Sequence, residues 1–368
     1  MAVREAIPRR AEAEEGVSSF AKSLFLGEIH EQLVFPWPEA DSDEQDRVRV
    51  LNARIREYCA EHYDPRQAEE ERWIPDQVLR DADAAMYQAK ARGRARYELF
   101  DPRFRTRALD RLETENALRR ALSRSELRVH YQPVFDMATE RIVGVEALLR
   151  WEHPDRSLLL PSEFLGVAEE SGLIVPIGEW VLRTACAQSR RLTELFGPAG
   201  ELEVAVNLSA RQVANPRLVE QITEIVTTTG VDPALMTLEI TESILMDDVV
   251  QSNETLVKLK VLGLGLAIDD FGTGYSSFAY LQRFPVDVLK VDRSFVSGLG
   301  AEPGDAAITE AIVTLCHTLG LVAVAEGVET EQQYRELVRI GCDRAQGFWK
   351  SRPLRADVLE DLIRSTLP

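Results

Sequence analysis

Over the last two-thirds of the chain, short apolar runs alternate with amphipathic stretches, and a polar residue closes nearly every run. The runs are Ile142-Val-Gly-Val-Glu-Ala-Leu-Leu149, Glu203-Val-Ala-Val-Asn207, Met236-Thr-Leu-Glu239, Leu266-Ala-Ile-Asp-Asp270, Val288-Leu-Lys290, Val322-Ala-Val-Ala-Glu-Gly327 and Cys342-Asp-Arg-Ala-Gln346. Their polar residues are Glu146, Asn207, Glu239, Asp269 with Asp270, Lys290, Glu326 and Gln346. The β-rich runs predict strands, and Ile177–Leu195 and Leu218–Thr228 place apolar residues at helical spacing. Steps of 32 residues from Asn207 to Glu239, 30 from there to Asp269 and 36 from Lys290 to Glu326 fit repeating strand-plus-helix units. About eight such strands make an α/β chain closed as a modified (β/α)8 barrel, whose C-terminal strand ends meet on one face. A doubly wound open sheet is the alternative, but it gathers polar strand ends only around one switch point.

Upstream the texture changes. Val48, Leu51, Ile55, Tyr58 and Cys59 share one helix face, predicting an N-terminal helical extension over residues 1–79 with sparse apolar content. A helical pattern follows over Asp81–Lys90 within residues 80–103, and Asp101-Pro102 breaks it. Leu109, Leu112, Leu118 and Leu122 then fall on one side of a connecting helix assigned to residues 104–125, ahead of the barrel at 126–368.

The net charge of -18 argues against a protein that coats nucleic acid, which needs a basic face. It leaves room for a small phosphate ligand, because bound cations invert the local potential. Cys59, Cys186, Cys316 and Cys342 are scattered, without paired spacing, and read as small core hydrophobes in a reducing compartment. No signal peptide and no apolar stretch of membrane-spanning length is legible, so a cytoplasmic location is expected.

Converging carboxylates repel and are costly to desolvate unless a cation holds them. Glu146, Asn207, Glu239 and Asp269 offer oxygen donors only, which favours Mg²⁺, Mn²⁺ or Ca²⁺ over zinc. The adjacent Asp269-Asp270 pair suits two ions about 3.5–4 Å apart, an arrangement used in phosphodiester hydrolysis. Lys290 suits stabilising an attacking hydroxide or a phosphate oxygen, and also a buried salt bridge to Asp292 or a site carboxylate, two roles that are compatible. The loop Asp270-Phe-Gly-Thr-Gly-Tyr-Ser-Ser277 lacks the Lys-Ser/Thr of a nucleotide triphosphate loop. Glu242 either holds that loop through backbone hydrogen bonds or joins Thr241 in capping a helix. A lone Asn207 or Gln346 is ordinarily a satisfied buried amide; their place in the joint pattern gives them a site role.

The stretch from about Leu127 to Pro353 resembles the EAL-domain cyclic di-GMP phosphodiesterases. The matching motifs are Tyr131-Gln-Pro133, Glu146-Ala-Leu-Leu-Arg-Trp151, Val206-Asn-Leu-Ser209, Leu238-Glu-Ile-Thr-Glu-Ser243, Ile268–Ser277, Leu289-Lys-Val-Asp292, Ala325-Glu-Gly-Val-Glu329 and Gln346-Gly-Phe348. The resemblance implies a TIM-like barrel that hydrolyses cyclic di-GMP to linear pGpG with Mg²⁺ or Mn²⁺, two ions per site. It makes Glu146, Asn207, Glu239 and Asp269 ligands of a first ion, and Asp270 and Glu326 contributors to a second. Lys290 and Gln346 then assist the catalytic water, Glu242 holds the glycine-bearing loop, and Glu329 orients the lysine or contacts substrate. Gln132, Leu149, Arg150, Asp292, Phe348 and Pro353 stand at positions of substrate contact. The family often forms a homodimer through this domain. A catalytically silent sensor that binds cyclic di-GMP is the competing reading, although degenerate members lose metal ligands that this chain keeps. One departure is Phe348, where the family more often has tyrosine.

Arg80–Arg94 resembles the C-terminal end of a GGDEF diguanylate cyclase domain, but no Gly-Gly pair occurs anywhere, so cyclase activity is not expected. Phe35–Glu39, His62–Gln67 and Arg72–Pro75 are similar to the N-terminal helices of acyl-CoA dehydrogenases. A fusion junction near Val78–Arg80 is the implied origin.

Overall fold

The computed structural model describes residues 102–247, 249–272, 281, 283–300 and 305–366. The expectations for residues 1–79 and nearly all of 80–103 lie outside these residues. The chain divides into two units, Met1–Leu112 and Glu113–Pro368, and the barrel belongs to the second.

Helix α1 (Pro102–Ala121) opens on the proline, whose fixed φ suits a first helical turn. Leu118 and Ala121 are buried, while Leu122, expected on the same side, is exposed just past the helix end. Strand β1 (Leu127–Asp136) turns back into β2 (Ile142–His153), with which it pairs antiparallel from end to end. There follow β3 (Ser157–Leu159), α2 (Pro161–Ser171), α3 (Ile174–Phe196), β4 (Glu203–Leu208), α4 (Ala210–Val213) and α5 (Leu218–Thr229). Next come β5 (Met236–Thr241), α6 (Glu242–Asp247), α7 (Val249–Val261), β6 (Gly265–Phe271) and β7 (Val288–Val291). The chain continues through α8 (Arg293–Ser297), α9 (Asp305–Leu319), β8 (Val322–Ala325), α10 (Glu331–Ile340), β9 (Arg344–Ala345), β10 (Leu354–Arg355) and α11 (Ala356–Thr366).

Strands β2, β4, β5, β6, β7, β8 and β9 lie parallel in that order, and β1 closes the ring antiparallel between β9 and β2. The result is a closed eight-stranded α/β barrel. It departs from a regular repeat at its start, where a tight turn rather than a crossover helix joins β1 to β2. Two antiparallel strands need only such a turn. As a consequence Glu146 lies inside a long β2 rather than at its end.

Alternation along the strands builds two surfaces. Val204, Val206, Leu238, Ile240, Leu266, Ile268, Leu289 and Ala323 face the helical layer, in the large apolar core. The opposite face fills the barrel. Val134, Ala267, Val288 and Val324 form its apolar middle, with Ala205 and Gly144 beside them. Below, Glu203 accepts from Thr237 Oγ1 and from Arg344 Nη1, each at 2.7 Å, which plugs the N-terminal end. Two residues further along each strand, the same face emerges at the opposite end, and there the sequence places Gln132, Glu146, Asn207, Glu239, Asp269, Lys290, Glu326 and Gln346. The polar run ends are thus the top layer of the barrel interior.

Leu238 is fully buried between barrel and helices. Leu238→Ala is expected to lower unfolding stability by about 2–5 kcal/mol through lost burial and a residual cavity. A urea titration of both proteins checks this as a lower midpoint at unchanged slope.

Candidate active site

Lys290 stands at the centre of the top layer with only 2% of its surface exposed. Its Nζ lies 2.6 Å from Glu326 Oε1, 2.7 Å from Glu239 Oε2, 3.2 Å from Asp269 Oδ1 and 3.5 Å from Glu146 Oε2. Burial alone favours loss of the lysine proton, but these carboxylates outweigh it and hold the ammonium charged, well above its ordinary range. Lys290 therefore pairs with site carboxylates. Asp292, its alternative partner, instead accepts the Ser294 N–H at 2.9 Å and caps α8.

One ammonium does not neutralise four carboxylates. Burial pushes Glu239 well above the ordinary carboxylate range; Lys290 opposes this, and Glu146, Asp269 and Glu326 add to the rise. Glu326 is pushed up to about 8, by burial first, against Lys290 and with Asp269 and Glu146. Glu146 goes the other way. Burial would raise it, yet Lys290 and hydrogen bonds from Gln346 and Asn207 hold it below the ordinary value. Those bonds run from Gln346 Nε2 to Oε2 at 2.6 Å and from Asn207 Nδ2 to Oε1 at 2.7 Å.

Successive strand residues face opposite ways, so Asp269 and Asp270 could not both face the mouth from a regular strand. The β6–β7 register shifts between Ile268 and Phe271, and Asp270 takes a left-handed φ of 54°. This is a conformation that aspartate tolerates better than most residues. Oxygens of Asp269, Asp270 and Glu326 consequently lie within 4.8 Å of one another. Burial, then Asp269 and Asp292, raise the Asp270 carboxyl. Just beyond, the Gly272 N–H donates to the buried Glu242 Oε2 at 3.0 Å. Glu242 thus ties down the backbone two residues beyond Asp270.

These residues fit hard divalent cations. The donors are oxygens, the carboxylates exceed the local positive charge, and Gln346 Oε1 is buried without a partner. Asp269, Asp270 and Glu326 are placed so that one oxygen from each could hold a metal ion.

An open cleft of roughly 630 Å³ rises from this layer, lined among others by Gln132, Glu146, Asp269, Glu326, Gln346 and Phe348. Gln132 accepts from Gln346 Nε2 at 3.1 Å and donates to the Ser351 carbonyl at 3.1 Å. Phe348 is 46% exposed, and the Arg352 guanidinium stacks 4.4 Å from its ring centre. Pro353 is half-buried in the segment after β9, outside the cleft lining.

One expectation needs correction. Leu149 is no substrate contact: it packs in the core beneath the helices, while Leu148, one position earlier, lines the cleft with Glu146. Period-two alternation is the reason. Arg150 is buried, and its Nη1 donates to the Leu149 carbonyl at 2.7 Å; it does not line the described cleft. Glu329 is not among the carboxylates that meet Lys290. It lines the cleft and accepts from Arg293 Nη2 at 2.8 Å. Arg293 and Leu148 were missed because neither closes an apolar run.

The proton on Glu326 sets a pH signature. Between its unfolded value near 4.5 and its folded value of about 8, the unfolded chain releases this proton and the folded chain keeps it. Stability of metal-free protein should therefore be greatest below pH 4.5 for this group and fall as pH rises through 8, by up to about 1.4 kcal/mol per pH unit. Glu326→Gln should flatten that part of the profile. Urea unfolding of both proteins in EDTA from pH 5 to 9 checks it; parallel profiles would show that Glu326 keeps an ordinary value.

The EAL domain family model matches residues 115–353. The chain is 46% identical over 283 residues to the Bifunctional diguanylate cyclase/cyclic di-GMP phosphodiesterase MucR of Pseudomonas aeruginosa, covering 77% of this chain and 41% of the relative. It is 41% identical over 290 residues to the Cyclic di-GMP phosphodiesterase NbdA of the same organism, covering 79% and 37%. The chain thus spans about two-fifths of the length of these curated relatives. A solved structure described as PaMucR Phosphodiesterase, c-di-GMP complex superposes with a TM-score of 0.64 at 48% identity, covering 67% of this chain and 99% of that one. No helix among the described residues is long and apolar enough to cross a membrane. With its closed barrel, its strand-end carboxylates around Lys290 and this family match, the chain belongs to the EAL domain family.

Proposed function

We propose that this domain hydrolyses cyclic di-GMP to linear pGpG. The observation that carries the reading is the intact top layer: Glu146, Asn207, Glu239, Asp269, Lys290, Glu326 and Gln346 converge, with Asp270 turned toward Asp269 and Glu326. The relatives named above as cyclic di-GMP phosphodiesterases support it, as does the likeness to a structure titled as a c-di-GMP complex.

Glu146, Asn207, Glu239 and Asp269 would hold one Mg²⁺ or Mn²⁺, and Asp270 and Glu326 would contribute to a second. Bound there, the ions supply Lewis acidity that lowers the pKa of a water and offsets charge building on the phosphate. The protein's part is positioning. Lys290 holds Glu239, Glu326 and Asp269 in register and keeps positive charge beside the reacting phosphate. Gln346 donates to Glu146 and Gln132 and has a free buried acceptor, Oε1, for a water O–H. Glu242 fixes the loop that begins at Gly272. The exposed Phe348 ring offers a face for a base. In the reaction a water oxygen bonds to phosphorus, the bond to a ribose 3′-oxygen breaks, and a proton passes to that oxygen.

The upstream likeness to a cyclase end belongs to the same proposal. The match to MucR runs over 283 residues, more than the barrel unit Glu113–Pro368 holds. A homodimer through the barrel is also part of it, and light scattering on the purified chain tests that.

Chromatography of cyclic di-GMP incubated with purified protein should show pGpG with Mg²⁺ or Mn²⁺ and none with EDTA. Binding without turnover would favour the sensor reading. Glu146→Ala removes a carboxylate that meets Lys290, Asn207 and Gln346, and should leave less than about 1% of wild-type turnover, a larger loss than outer-shell changes cause. Near-normal hydrolysis by that variant would sink the assignment.

A further inference from the structure

A cyclic dinucleotide carries two phosphodiesters in one ring, each with a negative charge at neutral pH. The phosphate being cleaved would be met by the cations that the carboxylate layer would hold. The other needs a positive partner elsewhere, because the described lining of the cleft is itself acidic: Glu146, Asp269, Glu326 and Glu329. Lys290 cannot serve both, being buried beneath the floor and committed to four carboxylates. Arg150 is buried and lies outside the described lining of the cleft.

Arg293 is the one cation among the described residues lining the cleft. It occupies the first position of α8, directly after the capping Asp292 and three residues beyond Lys290. Its stem packs against Gly327, which has a φ of +67°; a Cβ there would collide with Arg293 Cγ, Cβ and Cδ. Gly327 therefore keeps the space in which the arginine stem lies. The side chain is 61% exposed, and Glu329 Oε1 holds Nη2 at 2.8 Å. A guanidinium fork has five N–H donors, so this contact steadies it and leaves others to meet a phosphate. As an ion pair at this exposure, Arg293–Glu329 contributes roughly 0–1 kcal/mol to folding.

We propose that Arg293, steadied by Glu329 and seated over Gly327, grips the second, uncleaved phosphodiester of a cyclic dinucleotide. This rests on the functional reading above and adds to it the residue that separates a two-phosphate ring from a single diester. Lysine in its place keeps the charge and loses the fork.

The test compares wild type, Arg293→Gln and Arg293→Lys on cyclic di-GMP and on bis(p-nitrophenyl) phosphate, a diester with one anionic centre. Arg293→Gln is expected to raise KM for cyclic di-GMP at least tenfold with kcat within threefold, and to shift KM for the single diester less than threefold. Arg293→Lys should recover part of the loss. An unchanged KM for cyclic di-GMP, or equal losses on both substrates, would overturn the inference while leaving the phosphodiesterase reading intact. Should wild type bind cyclic di-GMP without cleaving it, the functional reading fails alone, and the same tenfold loss in Kd decides for or against Arg293. Should it neither bind nor cleave, both fall.

Discussion

Too little positive charge for too many carboxylates is the constraint on which this domain is organised. Lys290 meets four carboxylate oxygens within 3.5 Å, in a layer that sits on an apolar barrel interior. Low polarity beneath strengthens each interaction and makes every unpaired charge expensive. The protein tolerates the excess by keeping protons on some groups, Glu326 at about 8 and Glu239 well above its ordinary value. A site in that condition is poised to exchange protons for cations.

The barrel makes the arrangement affordable. Seven parallel strands and one antiparallel strand deliver their interior faces to one mouth, and each strand contributes a single polar side chain two residues above the apolar middle layer. Small interior residues, Ala205, Ala267 and Gly144, let the walls close, while Glu203 with Arg344 and Thr237 seals the far end. Backbone irregularity enters at one point of the floor, where the left-handed Asp270 and the β6–β7 register shift turn a second carboxylate toward the first. Strain of this kind persists where the surroundings enforce it, here with Glu242 holding Gly272 on the next turn of chain.

Much of this was legible in the sequence because the signal is periodic. Apolar runs closed by Glu146, Asn207, Glu239, Asp269, Lys290, Glu326 and Gln346 announce strands, and their spacing announces a barrel. The helices expected at Ile177–Leu195 and Leu218–Thr228 form as Ile174–Phe196 and Leu218–Thr229. What escaped depends on direction rather than residue type. A motif such as Glu146-Ala-Leu-Leu-Arg150 does not say which leucine faces the cleft until the strand's alternation is anchored, and the structure chooses Leu148 over Leu149. The antiparallel first strand was hidden because a turn and a crossover look alike when only apolar runs are counted. Arg293 was hidden because its value comes from Gly327 and Glu329, more than thirty residues away in sequence.

The surplus of carboxylates over positive charge calls for divalent cations to match it. Calorimetric titration of the purified protein with Mn²⁺ at pH 7, repeated in two buffers of different ionisation enthalpy, measures ion stoichiometry and proton release together. Two ions per chain, with protons expelled on binding because Glu326 starts protonated, is the result predicted. Absence of saturable binding, or binding that releases no proton, would contradict it.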